Sequence, residues 1–305
     1  MKSTRRMVLT TNTNETALET SLFSTKILLC LFCLLVFING CATRVMESFI
    51  GTTVDNLQKQ TDIELVCEGA PSFLLLLDSL IESQPGDMKM LITGIQAYSA
   101  YAAALSECGR PDGTVRMARK AGTYSQALLS LFPEFQENKG KPLTEFDTAL
   151  SGFQKDDLEP LFWGGYGWAT ELATQDGSPA ALADLYKIEK IMLQVLEFDE
   201  TYFHGAAHLF LGIYYGSRPV MFGGKPELSK LHFEKSLSIS KRQFLSTQVA
   251  YAEYYARTTF NREQYAQLLQ EVLDFPLDKR PDISLSNRIA QKKAQRLLAE
   301  IDMIF

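Results

Sequence analysis

The sequence is poor in the residues that most catalytic and metal sites need. It has only three histidines and five cysteines among 305 residues. Zinc sites take three or four nitrogen, sulfur or oxygen ligands, and so few cysteines cannot build a disulfide scaffold. The nucleophile motif Gly-x-Ser-x-Gly and a complete phosphate-binding loop are also missing. We therefore expect a protein that is not an enzyme and that needs no cofactor.

Positive charge is scarce as well. The chain has 30 Lys and Arg against 36 Asp and Glu, a formal net charge of −6. This excludes the basic surface expected of a nucleic-acid-binding protein. With 46% hydrophobic and 22% charged residues, the chain is globular rather than disordered.

The one long apolar run lies near the N-terminus, at residues 27–38. It is too short to cross a bilayer of about 30 Å, and with its basic flank it is typical of a secretory signal peptide. Residues 38–41 (Ile-Asn-Gly-Cys) resemble a bacterial lipobox, in which the cysteine is lipidated. We predict a lipoprotein signal peptide over 1–40, then a lipidated N-terminus at Cys41 and a tether to residue 60. The alternative is an ordinary signal peptide with a chance cysteine.

From residue 61 to residue 305, apolar residues recur at helical spacing and turn signals divide the chain into segments of about 12–20 residues. This pattern predicts one domain of about ten helices with no strand. Pro71 suits the first turn of a helix, and Asp87 suits the cap of the next one. Cys67 and Cys108 would then lie at neighbouring ends of an antiparallel hairpin. They are either a disulfide or two buried thiols.

Fragments of the tetratricopeptide pattern recur along this domain. They are Leu91, Gly94, Ile95 and Tyr98, then Leu211, Gly212 and Tyr215, with Phe233 and Ser236 at second-helix positions. In this pattern small residues let paired helices approach and large residues fill the space between pairs. Because the spacing is irregular, we predict degenerate tetratricopeptide-like hairpins that form an α-solenoid or a wrapped bundle.

Two aromatic patches are candidates for a ligand or pore surface. The run 162–168 contains both tryptophans and three glycines, and each glycine costs a helix about 1 kcal/mol relative to alanine. Either core packing or an aromatic-lined opening would offset that cost. The ligand or pore-lining candidates are Trp163, Tyr166 and Trp168 in this run, and Tyr214, Tyr215, Met221 and Phe222 on a long insertion between helices.

Glu200, His204 and His208 recur every four residues and would share one helix face. They are weak candidates for metal ligands, because the glutamate that zincins have directly after the first histidine is absent. The one other histidine is His232. A metal-dependent hydrolase is therefore an alternative hypothesis, and a polar stripe on a packed helix is the simpler interpretation.

Several segments together resemble the T-component lipoproteins of TRAP-type (tripartite ATP-independent) transporters. They are Ala-Pro-Ser-Phe-Leu-Leu-Leu-Leu at 70–77, Tyr-Ser-Ala-Tyr-Ala at 98–102, Pro-Val-Met-Phe-Gly-Gly-Lys-Pro-Glu at 219–227 and His-Phe-Glu-Lys-Ser-Leu at 232–237, besides the lipobox. The resemblance covers most of residues 61–305. Lys225, Ser229 and Ser236 depart from the usual pattern and leave the ligand open.

The resemblance implies a non-catalytic lipoprotein, anchored on the periplasmic side of a bacterial membrane. It implies that the substrate-binding P-component is the partner, that the protein is a homotrimer with a central opening, and that it handles a hydrophobic or organic-acid ligand. The alternative is a tetratricopeptide-like lipoprotein scaffold for outer-membrane or cell-wall assembly.

Overall fold

Helices account for the regular structure of the chain, as the spacing of its apolar residues predicts. The computed structural model describes residues 50–175, 179–218 and 220–305; the predicted signal peptide and Cys41 lie outside them. Residues 54–305 form one compact unit. The described residues contain no β-strand, and none of their helices is both long and apolar enough to cross a membrane. The predicted all-α fold class is confirmed.

The longer helices are α1 (Ile63–Ser83), α2 (Met88–Glu107), α3 (Pro111–Leu129), α6 (Leu158–Leu172), α7 (Pro179–Asp199), α8 (Tyr202–Gly216), α9 (Pro226–Ile239), α11 (Arg262–Asp274) and α12 (Ser284–Ala299). The shorter ones are α4 (Pro133–Asn138), α5 (Phe146–Leu150), α10 (Ser246–Tyr251) and α13 (Ile301–Ile304). Residues 50–58, in the segment predicted to be a tether, are also helical.

Helix α1 begins at Ile63, so the predicted start at Pro71 is wrong. The Asp62 carboxylate accepts a hydrogen bond from Leu65 N at 3.0 Å and caps the helix. The second cap is confirmed, because Asp87 accepts from Met90 N at 3.0 Å.

Pro71 therefore lies inside α1, where its missing N–H leaves the carbonyl of Cys67 without its usual helical donor. The Tyr101 hydroxyl on α2 donates to that carbonyl at 3.0 Å. A side chain of the neighbouring helix thus supplies the bond that the proline removes, and α1 continues through Pro71.

A disulfide joins Cys67 to Cys108, with their Cα atoms 6.8 Å apart. Because α1 starts early, Cys67 lies within α1 instead of before it, and Cys108 is the C-cap residue of α2. The bridge links the N-terminal half of α1 to the end of α2, as an antiparallel hairpin requires.

Small residues at the tetratricopeptide positions lie where helices approach most closely. A Cβ atom at Gly94 of α2 would lie 2.8 Å from both Ile81 of α1 and Tyr124 of α3. A Cβ atom at Gly212 of α8 would lie 2.8 Å from the Phe233 ring of α9. The small residue brings the helices together and the large one fills the space, which is the packing that the repeat pattern predicts.

The series of hairpins closes on itself. Most helices pack against the next one along the chain, α6 packs against α3, and α12 then returns to contact α1 and α2. Arg296 of α12 pairs with Glu107 at the end of α2 at 3.0 Å, and the Glu107 side chain is only 6% exposed. Of the two predicted architectures, this one is the wrapped bundle.

Candidate ligand and docking surfaces

Helix α6 carries the run 162–168, and its glycines are contact points for the helices around it. A Cβ atom at Gly165 would lie 2.7 Å from Ile191 of α7, and one at Gly167 would lie 2.1 Å from Ser125 Oγ of α3. An added Cβ atom at either place would force its neighbours to shift, so the glycines let α6 pack closely between its neighbours. This close packing offsets their low helix propensity.

Five rings from α6 and the start of α8 form an aromatic cluster: Phe162, Trp163, Tyr166, Tyr202 and Phe203. The Trp163 ring lies 5.3 Å from the Tyr166 ring and 4.7 Å from the Phe203 ring, centre to centre. Trp163 is buried, whereas Tyr166 is 36% exposed. The cluster therefore presents one aromatic edge to solvent, supported by buried rings behind it.

The backbone is strained where α8 begins. Phe203, His204 and Gly205 have φ angles of 43°, 63° and 74°. Glycine adopts this left-handed region freely, but each of the other two residues costs about 1–3 kcal/mol. Apart from Gly205, no residue in the sequence around this turn predicts it. Since such strain concentrates at ligand contacts and switches, the turn marks the aromatic cluster as a candidate site.

The left-handed turn also separates His204 from His208, two of the residues predicted to share one helix face. His204 does not lie one turn below His208, and its ring instead lies 5.4 Å from the Phe244 ring. Within residues 50–175, 179–218 and 220–305, no three His, Cys, Asp or Glu side chains are arranged to hold a metal ion.

His208 belongs to a polar group between α8 and α9. Its Nδ1 lies 2.8 Å from Nδ1 of His232, and its Nε2 lies 3.3 Å from Glu200 Oε2. Burial lowers the pKa of His208, against the opposing effect of Glu200. Burial and the neighbouring His208 lower the pKa of His232 to about 4. Both rings are therefore neutral near pH 7. His208 Nε2–H donates to the Glu200 carboxylate, so His208 Nδ1 accepts a hydrogen bond from His232 Nδ1–H.

Tyr214 and Tyr215 lie in the last turn of α8 and not on the insertion where the sequence placed them. They are only 4% and 6% exposed. The Tyr215 hydroxyl donates to Glu189 Oε1 at 2.6 Å, and the Arg218 guanidinium lies 4.6 Å from the centre of the Tyr214 ring. These contacts fix the base of the insertion.

Trp168 lies apart from Trp163, on another face of α6. It lines a cleft of about 380 Å³ together with Glu171 and Lys187. The Lys187 ammonium lies 6.0 Å from the Trp168 ring and already pairs with Asp184 at 3.2 Å. The aromatic run thus divides between two separate regions.

Met221 and Phe222 lie on a short 3₁₀ turn, Val220–Phe222, which we call the apolar turn. Its three side chains are 69%, 82% and 68% exposed. Gly223, with a φ of 87°, reverses the chain just after it. Three adjacent apolar side chains that are exposed to water indicate a surface for contact with another molecule rather than the lining of a pocket.

Comparison with protein families identifies the helical domain as a whole. The family model described as TRAP transporter T-component matches residues 59–305. The comparison with curated proteins gives no match. The matched range contains every helix from α1 to α13, together with the aromatic cluster and the apolar turn. The chain therefore belongs to the TRAP transporter T-component family and has an accessory role in such a transporter, as its sequence motifs indicated.

Proposed function

We propose that this chain is a non-catalytic, lipid-anchored periplasmic accessory that docks the P-component of its transporter. The observation that carries the proposal is the family match over residues 59–305, which spans the described domain from α1 to its end. In this proposal the protein also handles a hydrophobic or organic-acid ligand, for which the exposed edge of Tyr166 offers an aromatic contact. It acts as a homotrimer.

The apolar turn is the surface that we assign to docking. Its side chains, and Met221 most of all, are exposed among the residues that the structure describes. The buried Tyr214 and Tyr215 hold the base of the insertion. A rigid base with an apolar tip is the arrangement of an interface anchor. Methionine also adapts its shape to a partner surface.

A binding assay with the purified P-component tests the docking proposal. We expect Met221→Asp to weaken binding at least about tenfold, because an anchor side chain at an interface centre contributes that much or more. Met303→Asp is the matched control, because Met303 is 80% exposed but lies on α13. Unchanged binding by Met221→Asp, or an equal loss in Met303→Asp, would contradict this assignment.

Native mass spectrometry of the same variants separates docking from self-association. We expect a trimer for the wild type and for Met221→Asp. A monomeric Met221→Asp protein would show that the apolar turn joins copies of this chain and does not bind the P-component.

The lipid anchor is tested at Cys41. We expect the wild-type protein to incorporate labelled palmitate and to fractionate with membranes. Cys41→Ser should take up no label, because Cys41 is the one acylation site that we propose. Retention of label by Cys41→Ser would contradict the anchor.

A further inference from the structure

A groove of about 580 Å³ lies between α1, α2 and the start of α3, away from the aromatic cluster. Its walls are mainly apolar and include Leu74 and Leu75 of α1, Tyr98, Tyr101 and Leu105 of α2, and Met117 of α3. Its volume is in the range of sites that hold a small organic ligand. No local sequence motif predicts this groove, because each helix supplies only a few of the residues that line it.

All the charged side chains that line the groove come from residues 110–116, at the start of α3. Arg110, Asp112 and Arg116 line it there, which leaves one net positive charge. Within the described chain, none of the three forms an ion pair. Both arginines are exposed, so their guanidinium groups are free to take an anion.

The apolar walls are held in place before any ligand arrives. The Tyr101 hydroxyl is fixed by its bond to the Cys67 carbonyl at 3.0 Å, and the Tyr98 ring packs 5.8 Å from the Tyr124 ring. The disulfide between Cys67 and Cys108 ties α1 to the end of α2, next to Arg110. A preformed groove loses little free energy to ordering when a ligand binds.

We infer that this groove binds an amphiphile with one carboxylate and an apolar tail. The tail lies along Leu74, Tyr98 and Leu105, and the carboxylate pairs with Arg110 and Arg116. Arginine suits this role because its planar group holds a carboxylate through two parallel hydrogen bonds. An uncharged amphiphile would leave the arginines without an anion, and a cationic one would be repelled. The inference rests on the proposed ligand handling, whose ligand class it specifies, and it does not depend on docking of the P-component.

Photo-crosslinking of the full-length protein in its membranes tests this site. The probes are decanoate, decanol and decyltrimethylammonium, each with a diazirine in the tail, and labelled peptides are identified by mass spectrometry. We expect the decanoate probe to label peptides of α1, α2 and the start of α3. It should do so at least about tenfold more than either other probe, as a charge-assisted pair implies.

Variants at the charged end make the test specific. Arg110→Gln with Arg116→Gln should lower decanoate labelling about tenfold. Arg119→Gln, on the same helix but outside the groove lining, should not. Asp112→Asn should leave labelling equal or higher, because it removes a negative charge. Equal labelling by all three probes, labelling mainly outside the groove, or an equal loss in Arg119→Gln would overturn the inference.

Discussion

At the scale of single residues, the glycines of α6 set how closely three helices approach. At Gly167 a Cβ atom would lie 2.1 Å from Ser125 Oγ and 3.1 Å from the Ala121 carbonyl oxygen. The serine can rotate away, but the backbone oxygen cannot. We expect Gly167→Ala to lower the free energy of unfolding by about 1–3 kcal/mol, although alanine favours helices more than glycine. Urea unfolding measures this change.

Gly69 offers the matched control for that substitution. It lies in α1, and no atom would come within 4 Å of an added Cβ. Gly69→Ala should therefore raise the free energy of unfolding by about 0.5–1 kcal/mol, since only the backbone entropy changes. If both substitutions change the free energy of unfolding in the same direction, close contact at Gly167 is not what makes the glycine necessary in α6.

The pair His208 and His232 makes stability depend on pH. The pKa of His232 is about 4 when folded, against an ordinary 6.5. Between these values the unfolded chain binds a proton that the folded chain does not. The free energy of unfolding therefore falls as the pH drops from 6.5 to 4, by less than about 1.4 kcal/mol per pH unit.

A comparison with His232→Gln isolates this effect, because all carboxylates are common to both proteins. We expect urea unfolding at about pH 7, 6 and 5 to show a shallower decline for the variant. Parallel declines would show that His232 is protonated equally in the folded and unfolded chains.

The spacing of the aromatic residues in the run 162–168 already indicates that they divide between two faces of α6. Trp163 and Trp168 are five residues apart, so on a helix of 3.6 residues per turn they point in different directions. Trp163 and Tyr166 are three apart and share a face. The contribution of Phe203 had no such signal, because a phenylalanine with a left-handed backbone contradicts its local preference.

At the scale of helices, α1 depends on a hydroxyl of its neighbour. Tyr101→Phe would leave the Cys67 carbonyl buried without a donor. We expect it to lower the free energy of unfolding by about 1–3 kcal/mol. In a Pro71→Ala background the helix regains its own N–H donor, so the same substitution should cost much less.

The full double-mutant cycle measures this coupling by urea unfolding. We expect a coupling of about 1 kcal/mol between positions 71 and 101. Additive effects of the two substitutions would mean that the hydroxyl does not replace the missing helical bond.

The end of a helix could be predicted from the sequence where a single local residue determines it. Asp87 identified the start of α2 correctly, because its cap is a local hydrogen bond. Pro71 misled the prediction of α1, because whether a helix can continue through proline or must begin at it depended on Tyr101 of another helix. The turn at Phe203 was missed for the same reason, since its neighbours in the aromatic cluster come from α6.

At the scale of the whole molecule, the wrapped bundle is closed by a contact between residues 189 positions apart, Glu107 and Arg296. Arg296→Ala would leave the Glu107 carboxylate, 6% exposed, without its partner. We expect a loss of about 1–3 kcal/mol in the free energy of unfolding. Loss of this contact would open the closed bundle, and an open array of hairpins unfolds less cooperatively. The free energy of unfolding should therefore also fall less steeply with denaturant concentration.

Arg262→Ala is the control for this prediction. Arg262 pairs with Asp302, and both side chains are well exposed. Its removal should cost less than about 1 kcal/mol and leave the denaturant dependence unchanged. Equal effects of the two variants would show that closure adds nothing to cooperativity.

Periodicity and turn signals predicted the all-α class, and the order of motifs predicted the family. Neither pattern located the closure or the groove of α1 to α3. The closure and the groove each bring together residues from different helices. The sequence around each of these residues contains no motif that predicts the contact. Arg296, for example, lies among other charged residues of α12 and carries no local sign of its partner.

The exposure of the apolar turn makes it sensitive to oxidants. Among the methionines that the structure describes, Met221 and Met303 are exposed, whereas Met90 and Met192 are 6% and 1% exposed. Peroxide reaches exposed thioethers first and converts them to polar sulfoxides. Oxidation of Met221 would place a polar group on the surface that we propose for docking, so peroxide treatment should weaken binding of the P-component without unfolding the protein.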